Sequence, residues 1–127
     1  MMRFRTAVKD ARGLGSAKDG VHHWWVQRVS AVALVPLVLW FVFSVAINAG
    51  GDYEAMRAWL GQPFTAGVAI LLVATVFYHA QLGLQVVLED YVGHRGVQLA
   101  AVIAVKFLAA ILALTGVLSV LRIAFGV

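Results

Sequence analysis

The sequence contains no cysteine. That excludes disulfides, cysteine-ligated iron–sulfur clusters and covalent c-type haem attachment within this chain, and leaves its redox compartment open. Charge is nearly as scarce: charged residues make up 13% of the 127, where a soluble globular protein carries about a quarter. There are two prolines and no pair of Gly/Pro-broken half-helices of the kind that builds a transporter core. No internal repeat, low-complexity tract or second domain is visible, and the length allows one domain at most. A folded basic face interleaved with aromatics, which nucleic-acid binding would need, is also missing.

What is present is apolar. Hydrophobic residues account for 62% of the chain, and they fall into three runs. Residues 29–47 carry no charge, residues 64–88 carry no formal charge but hold His79 and two glutamines, and residues 97–121 carry one charge, Lys106. Each run meets the roughly 20 mostly apolar residues that cross a bilayer, and none shows the polar stripe of a soluble bundle helix. The expected fold is an all-α integral membrane protein with three transmembrane helices. Residues 1–25 read as a basic polar N-terminal arm, loosely ordered up to Asp19, and residues 26–127 as the three-helix transmembrane domain.

The charges orient the chain. Arg3, Arg5, Lys9, Arg12, Lys18 and Arg28 precede the first run against Asp10 and Asp19, whereas the connection after it offers only Arg57 against Asp52 and Glu54. By the positive-inside rule the N-terminus lies on the cytoplasmic side, or the matrix side in a mitochondrion, and the C-terminus on the opposite side. The expected location is a bacterial inner membrane, with a mitochondrial one as the alternative. The first run does not read as a cleaved leader, because it is longer than the usual apolar core of one and follows a long polar segment.

Chemistry concentrates in "VFYHAQLGLQVVLEDYVGHRG", residues 76–96. An ionisable side chain inside a membrane span defaults to a functional role because burying it there is costly. His79 is therefore either interhelical glue, donating to a carbonyl on a neighbouring helix, or an axial ligand of a b-type haem. Thr75 and Gly83 flank it four residues to either side on one helix face, a small-residue groove a flat macrocycle can approach, although Gly83 also suits close helix packing. The other histidines, His22, His23 and His94, lie at the edges of the spans. A residue nine positions inside Leu88 sits roughly 13 Å deeper, so a second ligand to an iron on His79 would have to come from a partner chain.

At the end of the same run stand Asp90 and Tyr91. A boundary tyrosine is commonly an amphipathic anchor. Beside a carboxylate, its phenol also supplies a hydrogen-bond donor and a proton route, which a quinone needs on reduction. Glu89 reads as solvated surface. Arg28, within "HHWWVQRVSA", is either a topological anchor flanked by Trp24 and Trp25 or a partner for a haem propionate. Lys106 lies as far into its run as His79 does, so it is expected to face the subunit interior, with a lipid-facing, snorkelled stem as the alternative.

Together these residues carry a resemblance. His79, Ala80 and Gly83, followed by Asp90 and Tyr91, with Gly20-Val21-His22, Arg28 and Ser30 upstream, resemble the hydrophobic membrane anchor subunit of succinate dehydrogenase (respiratory complex II), in its smaller, haem-ligand-bearing form. The likeness covers nearly the whole chain, and the residues between Gly83 and Asp90 depart from some relatives. It implies three transmembrane helices pairing with a second membrane anchor (cytochrome b) subunit, and together docking an iron–sulfur subunit and a flavoprotein subunit. It implies that the enzyme passes electrons from succinate to ubiquinone, and that no catalytic centre is complete in this chain alone. By position, His79 is the expected axial ligand of haem b, shared with the partner anchor. Arg28 is expected near the haem propionates, and Tyr91 with Asp90 at the ubiquinone site. The alternative is a haem-free structural anchor of the same complex or of a related fumarate reductase.

Overall fold

The computed structural model describes residues 16–127, with side chains from residue 20 onward. The charges at Arg3, Arg5, Lys9, Asp10, Arg12, Lys18 and Asp19, on which the orientation partly rests, lie outside the described side chains. Four helices follow one another, and we name them α1 (Ser16–Asn48), α2 (Tyr53–Leu60), α3 (Pro63–Tyr91) and α4 (Arg95–Phe125). Three of them, α1, α3 and α4, are long and apolar enough to cross a membrane. No strand is present among the described residues.

α1 runs without a break from Ser16 through residue 25 into the first apolar run. Its 33 residues extend roughly 50 Å at about 1.5 Å per residue, well beyond a roughly 30 Å hydrocarbon core. Pro36 lies inside it, where a missing N–H is tolerated in a membrane helix because neighbouring groups re-satisfy the freed carbonyl.

The connection after α1, which carries no apolar run, contains the short helix α2. Local chemistry starts it: Asp52 adopts an extended conformation and accepts a 2.8 Å hydrogen bond from the Ala55 N–H, and Glu54 stands in the first turn. Gly61 closes the helix, with its own N–H reaching back to the Arg57 carbonyl. Pro63 then opens α3 at a position where no amide donor is required. Trp59 of α2 stacks on Trp40 of α1 with ring centroids 6.2 Å apart, which ties the short helix to that end of the bundle.

α3 is the central helix and packs against both α1 and α4. Its tightest contact with α4 uses small residues. Ala66, Ala69 and Val120 are buried together, flanked by Leu60, Ile70 and Ala124, and a Cβ placed on Gly116 would stand 2.8 Å from Cγ1 of Val73. Helices in lipid gain nothing from burying oil against oil, so close backbone approach through small side chains supplies the packing energy. Gly116→Leu should therefore overpack this crossing, at about 1–3 kcal/mol. The expected result is a lower thermal midpoint in detergent, partly restored by adding Val73→Ala. An unchanged midpoint for the single variant would show that the helices are not this close.

Large apolar side chains elsewhere face outward, among them Val32 and Phe43 on α1 and Phe107 and Ile111 on α4. On a soluble monomer such a surface would invite association. On a membrane helix it is the face that lipid or another membrane helix covers.

Candidate functional site

His79 lies near the middle of α3 on the side that packs against α1. Its Nδ1 is 2.8 Å from the Ser30 hydroxyl, and that hydroxyl is also 2.9 Å from the Gln27 carbonyl. Ser30 is only 7% exposed, whereas His79 is half-buried. The sole buried side-chain nitrogen lacking a partner among the described residues is Nε2 of His23; Nε2 of His79 is not among the buried atoms and makes no hydrogen bond to the described residues. The imidazole is thus held to a neighbouring helix through one nitrogen, by a hydroxyl rather than the carbonyl considered above, while the other stays available.

The flanking positions divide. Thr75, whose hydroxyl donates to the Leu71 carbonyl at 2.7 Å, lines an apolar groove of about 480 Å³ between α1 and α3, with Ser30, Ala33, Ala74 and Tyr78. Gly83 is half-buried and faces α1 loosely: a Cβ there would meet Nε2 of Gln27 at an ordinary contact distance of 3.9 Å. The apolar groove lies on the Thr75 side.

The Ser30–His79 contact also resets the depth of Arg28. From the charge pattern Arg28 marks the edge of the first span, well above His79. With Ser30 level with His79, Arg28 lies only about 3 Å from that level along the axis, two residues away at about 1.5 Å each. It is exposed and on nearly the opposite side of α1 from Ser30, since two residues turn a helix by about 200°. Its guanidinium stacks over the Trp24 ring, 5.4 Å from the centroid, a cation–π contact that eases burial of the charge among apolar groups. The structure therefore brings Arg28 to the level of His79 but not into contact with it.

Asp90 and Tyr91 end α3 and are both exposed, Tyr91 to 83%. Neither makes a side-chain hydrogen bond among the described residues. The turn that carries them is nevertheless fastened from α4. Nε2 of Gln98 donates to the carbonyls of Glu89 at 2.9 Å and Val92 at 3.2 Å, and His94 caps α4 by accepting from the Val97 N–H at 3.2 Å. The phenol and carboxylate are thus presented outward from a stiff corner. They lie twelve residues at most from His79, roughly 18 Å along the helix axis.

A larger cleft of about 780 Å³ opens along α3 between α1 and α4, and Lys106 lines it together with His22, His23, Gln81, Gln85 and Glu89. Lys106 is exposed and lines this mainly apolar cleft among a few polar groups. Glu89 is exposed but not free: Gln81 donates to Gln85 at 3.0 Å, and Gln85 donates to Glu89 at 2.9 Å. Sequence reading passed over this ladder and the Gln98 clamp. The signal for the ladder was the four-residue spacing of Gln81, Gln85 and Glu89, which stacks them on one helix face. The clamp depends on a turn geometry that residue spacing does not show. Among the described residues no group of three or more His, Asp or Glu side chains could hold a metal ion.

Three long apolar helices, a half-buried histidine held through one ring nitrogen, and an acid–phenol pair exposed at a helix end define an α-helical membrane protein. The chain matches the model of the succinate dehydrogenase/fumarate reductase transmembrane subunit family over residues 2–118 and belongs to that family. It is 38% identical over 103 residues to the succinate dehydrogenase hydrophobic membrane anchor subunit of Rickettsia bellii, covering 81% of this chain and 82% of that one. With the subunit of the same name from Paracoccus denitrificans it shares 40% identity over 90 residues, 71% of this chain and 70% of that one. The succinate dehydrogenase membrane anchor subunit of Reclinomonas americana is 28% identical over 95 residues, 72% and 79% of the two chains. No solved structure is a significant match.

Proposed function

We propose that this chain is the hydrophobic membrane anchor subunit of a succinate:ubiquinone oxidoreductase, that His79 is an axial ligand of haem b, and that Tyr91 and Asp90 form part of the ubiquinone reduction site. The observation that carries the reading is the state of the His79 ring: Nδ1 is engaged by Ser30 at 2.8 Å while Nε2 has no partner. A metal-bound histidine almost always donates its other ring N–H to a protein group, so the residues present fit a haem ligand. Bound haem would supply a one-electron centre between the iron–sulfur subunit and quinone.

The remaining roles follow from where the side chains stand. Nε2 of His79 would hold the haem iron from this chain, and a second membrane anchor subunit would supply the other ligand. The exposed phenol of Tyr91 donates to a quinone carbonyl, and the Asp90 carboxylate beside it orients that phenol and exchanges protons with the aqueous phase. Arg28, near the level of His79, pairs with a haem propionate. The His94 end of the bundle faces the cytoplasm of a bacterial cell, where the iron–sulfur and flavoprotein subunits dock.

A gentle detergent extract, affinity-purified through this chain, tests the assignment. Mass spectrometry should identify three further subunits, namely a flavoprotein, an iron–sulfur protein and a second membrane anchor, and the reduced-minus-oxidised visible spectrum should show a b-type haem. The same partners without a haem band would leave a structural anchor of this complex or of a related fumarate reductase. Unrelated partners would overturn the proposal.

A further inference from the structure

The structure assigns to Ser30 a positioning role: its hydroxyl fixes the His79 ring so that the proton sits on Nδ1 and the Nε2 lone pair is presented for ligation. The inference rests on the reading of His79 as a haem ligand and adds the group that prepares it.

The argument is a proton count. The Ser30 hydroxyl has a single proton and two lone pairs. One of its two neighbours, the Gln27 carbonyl at 2.9 Å, is an acceptor only, so the hydroxyl proton is directed there. The contact from Oγ to Nδ1 of His79 at 2.8 Å is then a hydrogen bond only if Nδ1 carries a proton and donates it. The reverse assignment, with Ser30 donating to Nδ1, would leave the Gln27 contact as two oxygens with no hydrogen between them. It would also place the ring proton on Nε2, the nitrogen that has no partner. Burial makes the choice matter, since Ser30 is 7% exposed and water does not compete freely for its lone pairs. The chain Nδ1–H to Oγ–H to carbonyl oxygen also runs from α3 onto α1, so the ring's rotation is set by a second helix.

Such a donated hydrogen bond does two things to a ligating imidazole. It fixes ring orientation, and it raises the basicity of the other nitrogen, which favours ferric over ferrous iron. Ser30→Ala removes the acceptor and should shift that preference by roughly tenfold, the lower end of what outer-shell partners of metal-bound histidines contribute. For a one-electron couple this is about 59 mV, and the sign is upward, because the ferric form loses the stronger donor.

The test uses the assembled, purified complex. Redox titration of the haem and the low-spin ferric EPR spectrum are compared for wild type, Ser30→Ala, Ser30→Thr and Ser30→Cys. The expected result is a raised midpoint potential and shifted g-values in Ser30→Ala, with both restored in Ser30→Thr, whose hydroxyl can make the same bond to a preceding carbonyl. Should the alanine variant not assemble, Ser30→Cys carries the test, as a near-isostere with a weaker acceptor and a smaller shift of the same sign. Unchanged potential and EPR in both variants would overturn the assignment. So would a threonine variant that behaves like alanine, because the effect would then belong to packing and not to the hydroxyl. His79→Ala separates this from the underlying reading: a haem unaffected by that change overturns the ligand and Ser30 together. Loss of haem there with silent Ser30 variants overturns Ser30 alone.

Discussion

His79→Ala is expected to abolish the haem b α-band of the complex, or to displace it, while the chain still inserts and assembles. The variant removes the one side chain on α3 that offers an unpartnered ring nitrogen. It leaves the span at least as apolar as before, so the cost of crossing the bilayer does not rise. Ser30 loses a neighbour but keeps the Gln27 carbonyl at 2.9 Å, which limits the cost of its burial to part of one hydrogen bond. The measurement is the reduced-minus-oxidised spectrum, normalised to flavin content. A band unchanged in position and intensity would show that the iron is held elsewhere. Residual succinate–quinone turnover would be compatible with the assignment, since electrons can reach quinone directly from a nearby cluster.

The second large effect is expected at the end of the same helix. Tyr91→Phe deletes one hydroxyl from a side chain that is 83% exposed in the chain and makes no hydrogen bond within it, so folding and insertion should be unchanged. A quinone carbonyl left without its donor costs about 1–3 kcal/mol, which corresponds to a fall in quinone reductase activity of roughly 5- to 150-fold. Succinate oxidation with an artificial acceptor at the flavin or a cluster should persist at wild-type level. Parallel loss of both activities would mean that the phenol supports assembly, and equal retention of both would remove Tyr91 from the quinone site.

Much of this site was legible because membranes impose simple rules. A histidine within an otherwise apolar run is conspicuous, and so is an acid beside a phenol where the run stops; neither needs a fold to be noticed. Arg28 was equally visible, but its height relative to His79 was not, because that depends on the Ser30–His79 contact between two helices. The short helix α2 was missed for a different reason. Its amphipathic eight residues have no apolar run, and they are held by a capping aspartate and by stacking of Trp59 on Trp40, which lies 19 positions earlier.

The sequence by itself determined the membrane class, the three spans, the family resemblance and the residues able to ligate or donate. These depend on composition and on spacing along one helix, both of which are local. Tertiary structure alone decided which residues meet. It chose Ser30 as the partner of His79, set Gln27 beside Gly83, placed Lys106 along the cleft with His22 and His23 and clamped the Asp90–Tyr91 corner through Gln98. The physical reason is that apolar helices are specified along their axes by hydropathy but not in rotation or relative height. In lipid those two quantities are set by small-residue packing and by individual hydrogen bonds between helices, and a bond such as Ser30 to His79 joins residues 49 positions apart.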